Sequence, residues 1–217
     1  MTRPRLLLAD DHTLLLEGIR LMLEPEFELV GSVEDGQALL AAAEKLKPDV
    51  ILLDISMPVL NGIDAARQLR KIIPSSRLIF LTMHGDADYV TEAFRVGASG
   101  YLLKRSAASE LVTAIREVLK GHHYVSPLVT RNALELLIGG AKADSKFADG
   151  LTPRQRQVLQ LVAEGRTRKE IAGTLGISVK TVEFHKATLA RELNLRTSSD
   201  FTLYAIEHGI IASERSS

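Results

Sequence analysis

The sequence has no cysteine, no net charge and no long apolar run. Without cysteine the chain can form neither disulfides nor thiolate metal sites, although this leaves its compartment open. No apolar stretch approaches the roughly 18 residues that a membrane-spanning helix needs, and the N-terminus lacks the apolar region of a signal peptide. Together with a hydrophobic content of 46% and a charged content of 25%, these absences predict a cytoplasmic, globular protein.

The charge is unevenly distributed, although its total is zero. Residues 1–121 contain 14 Lys and Arg against 17 Asp and Glu, a net charge of −3, whereas residues 152–191 contain 8 against 3, a net charge of +5. A basic segment behind an acidic one indicates nucleic acid as a partner. The length of 217 residues allows two modest domains, which we predict at residues 1–121 and 149–217, joined by a linker (122–148) that contains a short helix.

Polar side chains stand at the carboxyl ends of short apolar runs in the first domain. Alternation of such runs with helical patterns predicts an α/β fold, a doubly wound sheet of five parallel strands. In this fold the carboxyl ends of the strands line one crevice, where ligands bind. The residues at these positions are Asp10, Asp11, Asp54, Thr82 and Lys104. The sequence therefore predicts that they form one site.

The chemistry of such a site is set by its three carboxylates, which repel one another and require positive charge. Lys104 supplies one charge, and oxygen ligands with no His or Cys close by favour Mg²⁺, Ca²⁺ or Mn²⁺ over zinc. A carboxylate next to Mg²⁺, a lysine and a threonine hydroxyl has the surroundings of a phosphoryl acceptor. Each residue alone is more often explained by a helix cap, a turn or a solvated strand end. The joint placement is what favours a site.

The same positions belong to four sequence motifs: Leu8-Ala9-Asp10-Asp11-His12, Leu53-Asp54-Ile55-Ser56-Met57-Pro58-x-x-Asn61-Gly62, Leu81-Thr82 and Gly97-Ala98-Ser99-Gly100-Tyr101-Leu102-Leu103-Lys104. These motifs resemble the receiver domain of bacterial response regulators over residues 3–121. The resemblance implies that a sensor histidine kinase phosphorylates Asp54. It also implies that Lys104 pairs with the phosphoryl group and that Thr82 and Tyr101 form a switch pair.

The resemblance also implies a magnesium site. Asp11 and the Asp54 carboxylate would bind Mg²⁺ directly, and the backbone carbonyl of Ser56 would be a third ligand. Asp10 would act through a water molecule. The cofactor expected from the resemblance is therefore Mg²⁺.

The second domain is predicted to contain four helices with clear start and stop signals. Capping boxes begin the first two helices at Thr152 and Thr167, and Ser178 caps the third. The short turn Gly176-Ile177-Ser178 joins the second and third helices, as in a helix-turn-helix.

The third helix, residues 178–193, is predicted to read DNA. Its apolar stripe packs on the other helices, and its opposite face enters the major groove of double-stranded DNA. We assign base edges to Glu183, Phe184 and Ala187, and phosphates to Lys180, Thr181 and Lys186. An alternative stays open, in which Phe184 belongs partly to the core and Glu183 pairs with Lys180 or Lys186.

This second domain resembles the LuxR-type helix-turn-helix over residues 151–211. The motifs that carry the resemblance are Leu151-Thr152-Pro153-Arg154-Gln155-Arg156-Gln157-Val158-Leu159, Lys169-Glu170-Ile171-Ala172 and Ile177-Ser178-Val179-Lys180-Thr181-Val182-x-x-His185. The chain as a whole resembles the NarL/FixJ subfamily of response regulators. It departs from the family pattern in having Gln155 and Gln157 where Glu is usual, Arg168 where Asn is frequent and Glu183 where many relatives have Lys.

The expected function is a response regulator rather than an enzyme. Phosphorylation of Asp54 would control DNA binding and transcription through a homodimer or through relief of masking between the domains. One rival is a phosphatase of the haloacid-dehalogenase type, which expects a second Asp where Ser56 stands. Another is a DNA-binding protein whose receiver is a dimerisation scaffold that is never phosphorylated.

Overall fold

In the computed structural model the described residues are 3–130 and 150–211. The chain divides into two compact units, Met1–Asp144 and Ser145–Ser217. Most of the predicted linker lies outside the described residues. Residues 127–130 are helical, where the predicted linker helix begins. Among the described helices, none is long and apolar enough to cross a membrane.

The first unit is a parallel sheet with helices between its strands. The strands are β1 (Arg5–Ala9), β2 (Glu28–Val33), β3 (Val50–Leu53), β4 (Arg77–Thr82), β5 (Gly100–Leu103) and β6 (Tyr124–Val125). The helices are α1 (Thr13–Leu23), α2 (Gly36–Leu46), α3 (Gly62–Ile72), α4 (Ala87–Arg95) and α5 (Ala107–Leu119). All strand pairs are parallel, in the order β2-β1-β3-β4-β5-β6. This is the predicted doubly wound fold, with one strand more than the five predicted.

The sixth strand, β6, was missed because two residues are too few to show a periodic pattern. The chain turns at Gly121, where φ is +92°. The Tyr124 amide then donates to the Ser99 carbonyl at 3.0 Å, and the Ser126 amide donates to the Tyr101 carbonyl at 2.9 Å. These long-range hydrogen bonds, and not local propensity, make the segment a strand.

Side chains alternate between the two faces of the sheet along each strand, and the side chains on both faces are buried. Leu6, Leu8 and Leu52 pack with α1 and α5 on one face of the sheet. Leu7 and Ile51 point to the opposite face because successive side chains in a strand alternate, and they too are fully buried. Burial on both faces explains why these strands appear as continuous apolar runs in the sequence.

The second unit is a four-helix unit made of α6 (Pro153–Ala163), α7 (Arg168–Leu175), α8 (Val179–Glu192) and α9 (Ser198–Glu207). Capping boxes begin α6, α7 and α9, and the Ser178 hydroxyl accepts from the Thr181 amide at the start of α8. Gly176 ends α7 with φ of +62°, a left-handed conformation that glycine adopts without strain. The turn that follows leads into α8, as predicted for a helix-turn-helix.

Candidate functional site

Strand register places the predicted site residues side by side. Ala9 is paired with Leu53, so the residues that follow them, Asp10 and Asp54, leave the sheet at adjacent positions. Both carboxylates are buried, and the Lys104 ammonium lies between them, with Nζ 2.8 Å from Asp10 Oδ2 and 2.8 Å from Asp54 Oδ2. The predicted convergence of these three side chains on one crevice is therefore present in the structure.

Lys104 is held as an ammonium by its neighbours. Burial disfavours its charged form, but the attraction of Asp54 and hydrogen bonds to Asp10 and Asp54 outweigh this effect and raise the pKa of Lys104. The side chain is only 6% exposed. Lys104 is therefore a fixed positive charge beside two buried carboxylates.

An acidic cluster suited to a cation lies at the same place. Ligand atoms of Asp10, Asp11, His12 and Asp54 all lie within 4.8 Å of one another. The carboxylate oxygens fit a hard divalent cation, because such ions prefer oxygen ligands. The prediction that no histidine is close was wrong: His12 Nδ1 lies 2.9 Å from oxygens of both Asp10 and Asp11. Its place directly after the Asp pair was the sequence signal that could have identified it.

Thr82 and Tyr101, the predicted switch pair, are both fully buried and are linked through His84. The Thr82 hydroxyl accepts a hydrogen bond from the His84 amide at 3.3 Å. The Tyr101 hydroxyl donates to the His84 carbonyl at 2.9 Å, and burial raises the pKa of Tyr101, which keeps it a donor. Tyr101 therefore points inward here, tied to the loop that follows β4.

His84 also connects the switch pair to the loop that follows Asp54. Its Nε2 lies 2.8 Å from Ser56 Oγ, and its ring stacks on Tyr89 with the centroids 4.2 Å apart. Asp54 itself is oriented by the Ile55 amide, which donates to its Oδ1 at 2.6 Å. No pattern in the sequence predicts these contacts of His84, because its partners are separated from it along the chain.

Gly62 allows the Asp54 loop to approach the start of α3 closely. The Gly62 amide donates to the Ile55 carbonyl at 2.8 Å, and a Cβ at Gly62 would lie 1.9 Å from the Asp54 carbonyl oxygen. A methyl group cannot be accommodated there without movement of the backbone that carries the site.

Gly62→Ala is expected to destabilise the first unit by about 1–3 kcal/mol, because the added carbon must displace backbone. Gly18→Ala is the matched control, since a Cβ there meets nothing within 4 Å and Gly18 lies inside α1. It should stabilise the unit by about 0.4–1 kcal/mol. Urea unfolding of both variants checks the difference, and equal effects would contradict the close approach.

In the second unit, α8 divides into a buried and an exposed side. Val182 and Leu189 are fully buried, whereas Phe184 is 67% exposed. Lys180, Glu183 and Ala187 are exposed, and Thr181 and Lys186 are half-buried. The alternative in which Phe184 belongs partly to the core is thus not favoured by its exposure.

The charged residues of this helix have specific neighbours. Lys186 Nζ lies 5.4 Å above the centroid of the buried Phe201 ring, which is a cation–π contact. Glu183 forms an ion pair with Arg168 of α7, with Arg168 Nη1 2.9 Å from Glu183 Oε1. Among the described residues, the ion-pair partner of Glu183 is therefore Arg168 and neither of the lysines that the alternative named.

Comparison with known proteins identifies both units. The family model of the response regulator receiver domain matches residues 6–116. The family model of the bacterial regulatory proteins of the luxR family matches residues 149–205. The transcriptional regulatory protein MctR of Rhizobium johnstonii is 38% identical over 210 residues, covering 96% of this chain and 95% of MctR.

Solved structures of the response regulator RcsB are similar along almost the whole chain. One from Salmonella typhimurium is 30% identical with a TM-score of 0.60, and the match covers 94% of this chain and 98% of that one. Another, of two RcsB dimers bound to two parallel DNAs, is 29% identical with a TM-score of 0.59, covering 95% and 99%. The chain therefore belongs to the response regulators, transcriptional regulators in which a receiver domain precedes a LuxR-type DNA-binding domain.

Proposed function

We propose that a sensor histidine kinase phosphorylates Asp54 and that this modification controls the binding of the LuxR-type domain to DNA. The observation that carries the proposal is the position of Lys104, whose ammonium lies 2.8 Å from the carboxylates of both Asp10 and Asp54. A buried carboxylate beside a fixed cation and an acidic cluster is suited to accept a phosphoryl group.

The transfer itself is a substitution at phosphorus. A carboxylate oxygen of Asp54 forms the new P–O bond while the P–N bond to the kinase histidine breaks, and the leaving imidazole takes up a proton. Lys104 then pairs with the oxygens of the transferred group. Asp11, the Asp54 carboxylate and the Ser56 carbonyl would hold Mg²⁺, with Asp10 acting through water. When bound, Mg²⁺ supplies charge that neutralises the phosphoryl oxygens.

The switch follows from the added charge. A phosphoryl group brings about −1.5 to −2 charges and strong acceptors to a site that already contains carboxylates. The Thr82 hydroxyl, which now accepts from the His84 amide, turns to donate to the phosphoryl group. This movement lets the loop after β4 shift. The hydrogen bond from the Tyr101 hydroxyl to the His84 carbonyl is then broken. Tyr101 repacks, and the outer surface of the receiver changes.

The output we propose is that α8 binds DNA, either in a homodimer of the whole chain or after relief of masking between the domains. Base edges are contacted by Glu183, Phe184 and Ala187. Phosphates are contacted by Lys180, Thr181 and Lys186. The RcsB dimers on DNA support a dimeric arrangement for this related chain. A regulator with chromosomal DNA as its partner acts in the cytoplasm, and its own role is regulatory and not enzymatic.

The experiment is light scattering and DNA binding of wild type and Asp54→Asn, with Mg²⁺ and acetyl phosphate. In wild type we expect a doubling of mass and a rise in DNA affinity of about 5- to 150-fold, the usual range of coupling between sites. Asp54→Asn should show neither. A rise in affinity without a change in mass would favour relief of masking over dimerisation.

The scaffold alternative makes the opposite prediction. If intact mass shows no phosphoryl group on wild type and Asp54→Asn binds DNA equally well, the receiver is a phosphorylation-independent scaffold. Turnover of a generic phosphomonoester by wild type, lost in Asp54→Asn, would instead favour the phosphatase rival.

A further inference from the structure

An ion pair crosses the helix-turn-helix on the side of α8 that we assign to DNA. Arg168 is the first residue of α7, and its Nη1 donates to Glu183 Oε1 in the second turn of α8 at 2.9 Å. Both side chains are exposed to a large extent, 60% for Arg168 and 50% for Glu183. The pair is therefore open to a ligand that approaches this side of the unit.

The surroundings of the pair are basic. It lines a groove of about 370 Å³ with Lys186, Ala187, Arg196 and Phe201. Three cationic side chains and one carboxylate thus border the groove. A groove of this charge attracts phosphates, because positive potential steers polyanions to a surface. A carboxylate in the same place opposes that attraction unless its charge is compensated.

Stability does not account for the pair. Exposed ion pairs contribute little to stability, since solvent screens the attraction and two long side chains lose freedom. The contact instead fixes the carboxylate in space. It uses Oε1 of Glu183, and no described residue donates to Oε2. One acceptor oxygen of Glu183 is thus left for another donor, on a side chain whose direction is already set.

We propose that Arg168 is a positioning residue for DNA sequence recognition: it compensates the charge of Glu183 and aims its second oxygen at a cytosine. The donor that matches a carboxylate in the major groove is the N4 amino group of cytosine. Without Arg168, the carboxylate would be both mobile and repelled by the phosphates. This inference rests on the proposed function, because it requires that α8 lies in the major groove.

The test is selection from a randomised DNA library by the phosphorylated full-length protein, followed by affinity measurements. The variants are Arg168→Gln, Glu183→Gln and the double variant, with Lys169→Gln as the matched control. Lys169 is the next residue of α7, is exposed, and its loss removes the same charge without touching Glu183. Thermal unfolding should show that all variants fold like wild type, since the pair is exposed.

Wild type is expected to prefer cytosine at one position of each half-site by about tenfold or more over other bases. Glu183→Gln should lose this preference. Arg168→Gln should weaken it to a similar extent, but should have no further effect on base preference when Glu183 is already Gln. Lys169→Gln should lower affinity uniformly across sequences and leave the preference intact.

Two results would overturn the inference while leaving the proposed function in place. One is an unchanged base preference in Glu183→Gln. The other is a loss of affinity in Arg168→Gln that is equal for all sequences and equal in both Glu183 and Gln backgrounds, which would make Arg168 an independent phosphate contact. Failure of phosphorylated wild type to enrich any sequence would overturn the proposed function together with this inference.

Discussion

Lys104→Met is expected to lower the free energy of unfolding of the receiver by about 3–5 kcal/mol in the absence of divalent cations. The substitution keeps the aliphatic stem but removes the ammonium that lies 2.8 Å from Asp10 and 2.8 Å from Asp54. Both carboxylates are almost completely buried. Removing one partner of a buried ion pair leaves an uncompensated charge, which costs more than the pair itself contributes.

Urea unfolding with and without Mg²⁺ measures this effect and its cause. Mg²⁺ should stabilise Lys104→Met more than wild type, because a bound cation restores the missing positive charge and ligand binding to the folded state stabilises it. Lys120→Met is the matched control, since Lys120 pairs with Glu117 on the exposed surface and its loss should leave the stability nearly unchanged. Equal stability of Lys104→Met and wild type without metal would contradict the crowding of carboxylates at this site.

The pH dependence of the same difference has a definite sign. The pKa of Lys104 is raised in the folded state, so the folded protein holds this proton more tightly than the unfolded chain. Its contribution to stability is therefore complete below the ordinary pKa of lysine and is lost as the pH rises through the raised value. We expect the stability difference between wild type and Lys104→Met to be constant near neutral pH and to shrink under alkaline conditions. A difference that grew with pH would contradict this assignment.

The arrangement of the receiver site was predictable because parallel strands impose it. Asp10, Asp54 and Lys104 each follow a buried strand, and register then brings their side chains together without any need to know the loops. The helices were predictable for a similar reason, since caps such as Thr152, Thr167 and Ser178 act within a few residues of themselves. Sheet topology therefore determines the arrangement of the receiver site, and local capping determines where the helices begin.

Contacts between distant segments were not predictable, because neither periodicity nor capping encodes them. The strand β6 exists through its pairing with the β5 region. His84 bridges Ser56 and Tyr101 from a loop that has no regular pattern. The partner of Glu183 proved to be Arg168 on another helix, whereas helical spacing alone suggested lysines of α8 itself. Each of these depends on tertiary placement.

The helix α8 contains buried and exposed apolar residues, and substitutions of the two kinds should have different effects. Leu189 is fully buried in the small second unit, and Phe184, five residues earlier, is 67% exposed. Units of this size are supported by a core that supplies only about 3–5 kcal/mol, so their apolar residues have little reserve. Substitution of Leu189 should therefore impair folding, whereas substitution of Phe184 should impair DNA binding alone.

Leu189→Ala is expected to destabilise the second unit by about 2–5 kcal/mol, enough to unfold much of it and abolish DNA binding. Phe184→Ala, the matched control on the same helix, should leave thermal unfolding unchanged and lower affinity for the preferred sequence by about tenfold. Calorimetry, DNA titration and intact mass together separate the outcomes, and both variants should still be phosphorylated at Asp54, which belongs to the other unit. A large loss of stability in Phe184→Ala would indicate that Phe184 belongs to the core and not to the face that reads DNA.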